Sequence, residues 1–364
     1  MPYNKSLSAD AENAPSLREA FAGRFRTGAA INTWHLNENS REYAVIRKQF
    51  NVFTLENESK PEPIHPEEGR YVFDRVDRFA EFGEKTGVRL RGHTLVWHSQ
   101  CPDWFFVDEN GGPAAKDVLL ARMKEHITTI VSRYRGKIGT WDVVNEVIRD
   151  EGGMRESKWY GIAGTDYIKE AFRCAHEADP DARLIINDYN LESSGAKADT
   201  MAAFVREMLG EGVPVHGIGL QMHLGPDTDF EKLKKNVRKF TALREIAPDF
   251  CLEVTELDLS CYRWGDTAED IEQTPEFEAA FAAKYAELFR FLLELSDEGV
   301  LDTVVFWGIQ DGMSWLNGFP RRHKNYPLLI GRDFLLKPAF HEVIGLVSAE
   351  TSDFSETIDK FPEI

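Results

Sequence analysis

Eight short runs along the chain are almost continuously apolar: FRTGAAIN from Phe25, FNVFTLE from Phe50, VRLRGHTLVW from Val88, IGTWDVVNE from Ile138, RLIINDY from Arg183, HGIGLQMH from His216, CLEVTELD from Cys251 and DTVVFWG from Asp302. Such runs predict strands covered on both faces, as in a parallel sheet. Between them, apolar residues return every three or four positions. Val72, Val76, Phe79 and Phe82 form one stripe, and Leu119, Met123, Ile127, Ile130 and Tyr134 a second. Met201, Phe204, Val205 and Met208 make a third, Phe230, Leu233, Val237 and Phe240 a fourth, and Phe277, Phe281, Leu288, Phe291 and Leu295 a fifth. That spacing lays an apolar face along a helix, and the stripes read as core rather than as ligand boxes.

Strands alternating with helices pair in parallel through right-handed crossovers. The runs are about 39 residues apart on average, which suits one (β/α)8 TIM barrel. A doubly wound sheet would need a glycine-rich phosphate turn after its first strand, and GAAIN is not one. The expected class is therefore α/β, a single barrel over about 16–347 within a single domain 1–364, with short extensions at both ends. The tail after Leu346 is too short for an appended binding module.

In such a barrel, chemistry sits at the C-terminal ends of the strands. Those ends carry Glu56 and Asn57, the stretch His93 to His98, Asn145 and Glu146, Asp188 to Asn190, Gln221 and His223, Glu256 and Asp258, and Trp307. Glu146 and Glu256 each end an apolar run. Either one alone reads equally well as a salt-bridged or capping residue at a strand–helix junction. Together, on the fourth and seventh runs, they would face each other across the barrel mouth, and paired carboxyl groups suit glycoside hydrolysis. Trp97, Trp104, Trp307 and Trp315 lie in or after strand-end loops, where flat rings could stack on sugars. Trp141 and Trp159 are assigned to the core. Asn57, Lys60, Gln100 and Asn145 offer hydrogen bonds to neutral hydroxyls.

The 364 residues include 43 Lys and Arg against 61 Asp and Glu, a net charge of −18. That balance argues against nucleic acid and against an anionic membrane surface. No apolar stretch is long enough to span a bilayer, and no required protein partner is evident. His93 and His98 do not have the i, i+4 spacing of a helical zinc pair, and HExxH, cysteine clusters and the GxSxG elbow are all missing. No metal or cofactor is expected. The four cysteines (Cys101, Cys174, Cys251 and Cys261) form no framework and are expected to be free thiols. The N-terminus has no apolar targeting run. A cytoplasmic location is expected on both counts, the alternative being secretion with a signal peptide removed.

Six segments carry a resemblance: ENESK at Glu56, RGHTLVWHSQCPDW at Arg91, WDVVNE at Trp141, GLQMH at Gly219, VTELD at Val254, and FWG with SWL between Phe306 and Leu316. In order and spacing the chain is similar to glycoside hydrolase family 10 endo-β-1,4-xylanases over nearly its whole length. The resemblance implies a retaining xylanase acting on xylan or xylo-oligosaccharides, with no cofactor. It implies Glu146, beside Asn145, as general acid/base and Glu256 as nucleophile, with His223 and Asp258 as the pair that holds it. It further implies Asn57, Lys60, His93, Trp97, Gln100 and Trp315 as glycone-side contacts, with Tyr189, Gln221 and Trp307 lining the cleft. The choice of xylose over glucose rests on the resemblance alone. Ser59 departs from the methionine usual before the lysine. A related retaining glycosidase (a cellulase or β-xylosidase) and a non-catalytic carbohydrate-binding barrel are the alternatives. Retention requires the two carboxyl groups to stand roughly 5–5.5 Å apart.

Overall fold

Each of the eight apolar runs forms a strand of one closed parallel barrel. The computed structural model describes residues 10–266, 270–320 and 322–347. The expected terminal extensions fall largely outside the described residues. In chain order the strands are β1 (Arg26–Ile31), β2 (Val52–Leu55), β3 (Arg89–Trp97), β4 (Thr140–Asn145), β5 (Arg183–Asp188), β6 (Gly217–Leu220), a two-residue β7 (His223–Leu224), β8 (Cys251–Leu259) and β9 (Leu301–Phe306). β1 to β6 pair in parallel in chain order, β8 pairs with β9, β1 also pairs with β9, and β6 pairs with β8, which closes the ring. β7 is a short addition at the mouth, where His223 is registered opposite Asp258.

The five apolar stripes become helices Asp74–Thr86, Lys116–Arg133, Gly195–Gly210, Phe230–Thr241 and Pro275–Asp297, with Val72 preceding the first and Tyr134 capping the second. Their ends have local causes. Gly87 stops the first in a left-handed conformation, with φ 68. Asp229 caps the fourth by accepting from the Lys232 amide, and Thr274 caps the last, with Pro275 in its first turn. Helices Arg41–Gln49 and Asp166–Ala178 were not marked by the periodicity. The first buries only Val45, Ile46 and Gln49, and much of the buried face of the second is alanine.

The core lies between the strands and the helix ring. Trp141 and Trp159 are 1% and 2% exposed, as assigned. Trp141 packs on Gly92, where a Cβ would come within 2.1 Å of its ring. Burying a large side chain of this kind stabilises by about 1.5–3 kcal/mol. Inside the barrel, Arg91 donates from Nε to Glu253 at 2.7 Å and from Nη2 to Asp142 at 2.7 Å. Arg183 lies 3.8 Å from Glu253 and pairs with Asp302 on β9 at 2.8 Å, which extends the group. Removing one member would leave a buried charge unpaired, which costs several kcal/mol. The network therefore fixes the facing strands β3, β4, β8 and β9 relative to one another.

The ladders slip between His93 and Val96 on β3, between Asp142 and Val144 on β4, and between Val254 and Leu257 on β8. Slips of this kind re-aim side chains, and here they lie just below the site.

Candidate active site

The strand ends open into a cleft of about 1090 Å³. Its lining includes Asn57, Lys60, His93, Trp97, Gln100, Asn145, Glu146, Tyr189, Gln221, His223, Glu256, Asp258, Trp307 and Trp315, so the expected catalytic and sugar-contact residues are brought to one place, while Asp188 at the end of β5 is not in the lining. Trp104 is a correction. Its ring stacks on Phe105 at 3.8 Å and its Nε1 donates to the His65 carbonyl at 3.2 Å, which takes it out of the cleft and into packing.

Glu256, on β8, is 4% exposed. Asn187 Nδ2 donates to its Oε1 at 2.8 Å, and His223 Nε2 lies 3.2 Å from its Oε2. Burial alone would raise this carboxyl. The charge of His93, the hydrogen bond and charge of His223 and the Asn187 amide outweigh burial and hold it at about 2, so it is ionised at neutral pH. Burial likewise opposes the charge on His223, but Asp258, 3.0 Å from Nδ1, together with Glu256, lifts it to about 10. Trp315 Nε1 donates to the other Asp258 oxygen at 2.8 Å and so orients that carboxylate.

Glu146 directly follows β4 and is held differently. Its backbone has φ 60, a left-handed conformation uncommon outside glycine. Gln100, Asn190 and Met222, at the ends of other strands, share it. Strain of this kind gathers at functional sites. Arg155 fixes the main chain by donating to the Glu146 carbonyl at 2.6 Å, and Arg155 also donates to the Tyr189 hydroxyl at 2.8 Å. The Glu146 carboxyl itself has only long contacts: Asn145 Nδ2 at 3.4 Å, Gln221 Nε2 at 3.3 Å and His98 Nε2 at 3.8 Å. Burial and the charges of Arg155 and Lys197 lower His98 to about 4, so it is neutral at pH 7 and does not pair ionically with Glu146.

An amide chain joins the two glutamates. Asn187 Nδ2 is shared between Glu256 and Asn145 Oδ1, at 2.9 Å from the latter, and Gln221 Nε2 reaches both Asn145 Oδ1 at 3.2 Å and Glu146. Thr255 Oγ1 donates to Asn187 Oδ1 at 2.6 Å, which settles which end of that amide faces Glu256. Gly219 leaves room for it, since a Cβ there would meet Asn187 Oδ1 at 2.3 Å.

On another wall, Lys60 Nζ donates to Asn57 Oδ1 and Gln100 Oε1, both at 2.8 Å, and sits 4.8 Å from the Trp97 ring centre. Burial lowers its pKa, yet all its assigned partners are acceptors. Ser59, the departure noted above, donates to the His93 carbonyl at 2.7 Å and so ties the Lys60 turn to β3. His93 Nδ1 is 2.9 Å from Asp142, and its ring lies 5.3 Å from that of Trp307.

Sequence reasoning missed Asn187, Arg155 and Trp264. Asn187 had a signal, an amide inside the apolar run RLIIND. Arg155 and Trp264 lie in connections without periodicity. Among the described residues, no group of three or more His, Cys, Asp or Glu is placed to hold a metal ion, and no helix is long and apolar enough to cross a membrane. The four cysteines are free thiols.

The family profile of Glycosyl hydrolase family 10 matches residues 16–346. The chain is 40% identical to endo-1,4-beta-xylanase B of Paenibacillus barcinonensis over 91% of this chain and 98% of that protein. It is also 40% identical to endo-1,4-beta-xylanase C of that organism, over 92% of this chain but only 32% of the longer relative. A solved intracellular xylanase of Thermoanaerobacterium saccharolyticum, a variant in complex with xylotriose, superimposes with a TM-score of 0.83 at 36% identity, over 91% of this chain and 98% of that one. With a closed barrel, two glutamates at the ends of β4 and β8, and a matching profile over most of its length, the chain belongs to glycosyl hydrolase family 10.

Proposed function

We propose that this protein is a retaining endo-β-1,4-xylanase with Glu256 as nucleophile and Glu146 as general acid/base. One observation carries the assignment of roles: both glutamates face a single cleft, yet Glu256 accepts from Asn187 at 2.8 Å, lies 3.2 Å from the His223 cation and is held ionised at about 2, while the nearest donor to the Glu146 carboxyl among the described residues is at 3.3 Å. A nucleophile must be charged and aimed, whereas an acid/base must be free to exchange its proton with a leaving oxygen and then with water.

In the first step Glu256 Oε2 or Oε1 attacks the anomeric carbon. The glycosidic bond breaks as the Glu146 proton passes to the departing oxygen. In the second step Glu146, now a carboxylate, takes a proton from water, whose oxygen attacks the same carbon and releases Glu256. Two inversions give net retention. His223 stays cationic through both steps and stabilises the carboxylate as it leaves. The Lys60, Asn57 and Gln100 group binds sugar hydroxyls, and Trp97, Trp307 and Trp315 supply apolar faces.

The substrate is xylan or xylo-oligosaccharide, on the strength of the family and of the relatives' named activities. The four free thiols suit a reducing compartment, and the reading extends to a cytoplasmic enzyme finishing imported oligosaccharides. Hydrolysis of xylan, xylo-oligosaccharides and cellulose, assayed side by side with NMR of the first-formed anomer, tests the function. β-Xylosyl product from the first two substrates is expected, and an initial α-anomer overturns the mechanism. Activity in the medium of unlysed native cells overturns the compartment.

A further inference from the structure

The chain is strongly acidic overall, but one corner beside the cleft is not. A shallow hollow of about 510 Å³ is lined by Asp270, Asn317, Gly318, Arg322, His323, Lys324 and Arg332. His323 also lines the cleft, so the two share a wall. Among the described residues, the side chains of Arg322 and Lys324 have no ion-pair partner, and both are exposed. Arg332 is held in place by donating to the Asn325 carbonyl at 3.0 Å and to Asn317 Oδ1. Among the described residues, the hollow's one carboxylate is Asp270, which accepts the Lys324 amide at 3.1 Å. Three cations against one acid is the reverse of the chain's charge of −18.

The adjoining lip of the cleft is aromatic. Trp315 stacks on Phe319 at 5.5 Å, and Trp264 lies 5.4 Å from Phe319. Trp264 and Phe319 remain 69% and 51% exposed, so their faces are not consumed by the core. Exposed rings at the edge of a cleft offer stacking surface for a sugar. A basic hollow at its margin offers charge-assisted bonds to a carboxylate, for which the arginine fork is suited.

We propose that this corner is a binding site for an acidic sugar substituent, in which a uronosyl carboxylate on the xylose backbone is taken by Arg322 and Lys324 while the backbone runs past Trp315, Phe319 and Trp264. The proposal rests on the xylanase reading and adds a preference within it: substrates carrying a uronic acid are favoured over neutral ones. The Lys60 cation on another wall of the cleft is already engaged, donating to Asn57 Oδ1 and Gln100 Oε1.

The test compares two oligosaccharides of equal backbone length, one unsubstituted and one carrying a single glucuronic acid, as the ratio of their kcat/KM values. The wild-type enzyme is expected to favour the acidic substrate by about tenfold at low salt, a preference that shrinks toward unity at 0.5 M salt because exposed charges are screened. In R322A/K324A the ratio is expected to fall to near one, and in K324E below one. A ratio that is the same in the wild type and both variants overturns the site, as does a wild-type ratio indifferent to salt. Failure of the wild type to cleave the neutral oligosaccharide would instead count against the xylanase reading. The ratio of dissociation constants of the two sugars, by calorimetry, would then decide the basic site on the same criterion.

Discussion

Glu146, just past the end of β4, and Glu256, within β8, are the same residue facing one cleft, and their immediate surroundings differ. Glu256 sits within β8 at a slip of its ladder, with the His223 cation 3.2 Å from one oxygen and the Asn187 amide donating to the other at 2.8 Å. Glu146 sits just past its strand on left-handed backbone. Its main chain is clamped by Arg155, while its carboxyl is in contact only at 3.3 Å and beyond. In one case the protein fixes the side chain, in the other the backbone. Fixing a carboxylate stabilises its charge and aims it along one line, whereas fixing only its anchor leaves the oxygens free to gain and lose a proton. On the proposed assignment, the difference between nucleophile and acid/base comes from these neighbours and not from the residue type.

The most severe way to break this contrast is Glu256→Ala, which removes the attacking atom. Turnover of every glycoside is expected to fall by roughly 10⁴-fold or more. Substantial hydrolysis of an activated aryl xyloside by this variant would sink the assignment.

Glu146→Ala should separate substrates. Polymeric xylan needs a protonated leaving group and is expected to lose about 10²–10⁴-fold. An aryl glycoside with an acidic phenol should lose much less in forming the covalent intermediate. Added azide should restore turnover and yield a β-glycosyl azide. Equal losses on both substrates would mean that the two glutamates do not divide the work.

His223→Ala sharpens the electrostatic half of the contrast. Glu256 is depressed from 4.5 to about 2, so its acid limb in kcat/KM lies near pH 2 in the wild type. Without the cation and its hydrogen bond, the limb should move to higher pH, with a fall of about 10²-fold at pH 5. The pair also links stability to pH. The depressed Glu256 contributes fully above 4.5 and its contribution is lost as pH falls through about 2. The raised His223 contributes fully below 6.5 and its contribution is lost as pH rises through about 10. A pH profile from 3 to 7 on an activated substrate that is superimposable for variant and wild type would refute the role given to His223.

The smallest expected effect comes from Gly219→Ala. A methyl 2.3 Å from Asn187 Oδ1 must push that amide away from Glu256. About a tenfold loss in kcat is expected, with KM nearly unchanged, because a misplaced nucleophile is felt mainly in the transition state. A change confined to KM would show that Asn187 serves binding instead.

Much of this site was legible in the chain, for a physical reason. A barrel strand is largely apolar along its length, the Arg91, Asp142 and Glu253 group excepted, so a polar residue at its end stands out, and the fold sends all such ends to one rim. Glu146, Glu256, His223 and the Lys60 group were found in that way. Trp104 followed the same logic and was misplaced, because an aromatic in a loop can pack inward on Phe105 as readily as outward onto sugar. Asn187 carried a signal that only its neighbours make meaningful.

By itself, then, the sequence determined the strand and helix order, the closure into a barrel and the strand-end residues, because periodicity is a local property that burial imposes on each element separately. Only the tertiary structure decided what those residues do to one another. Arg91 meets Glu253 across 162 positions and Asn187 meets Glu256 across 69. Arg155 reaches back to the Glu146 carbonyl, and Trp264 meets Phe319 from a different loop. Hydrogen bonds and charges act over a few ångströms of space, and distance along the chain does not record which atoms the fold brings that close.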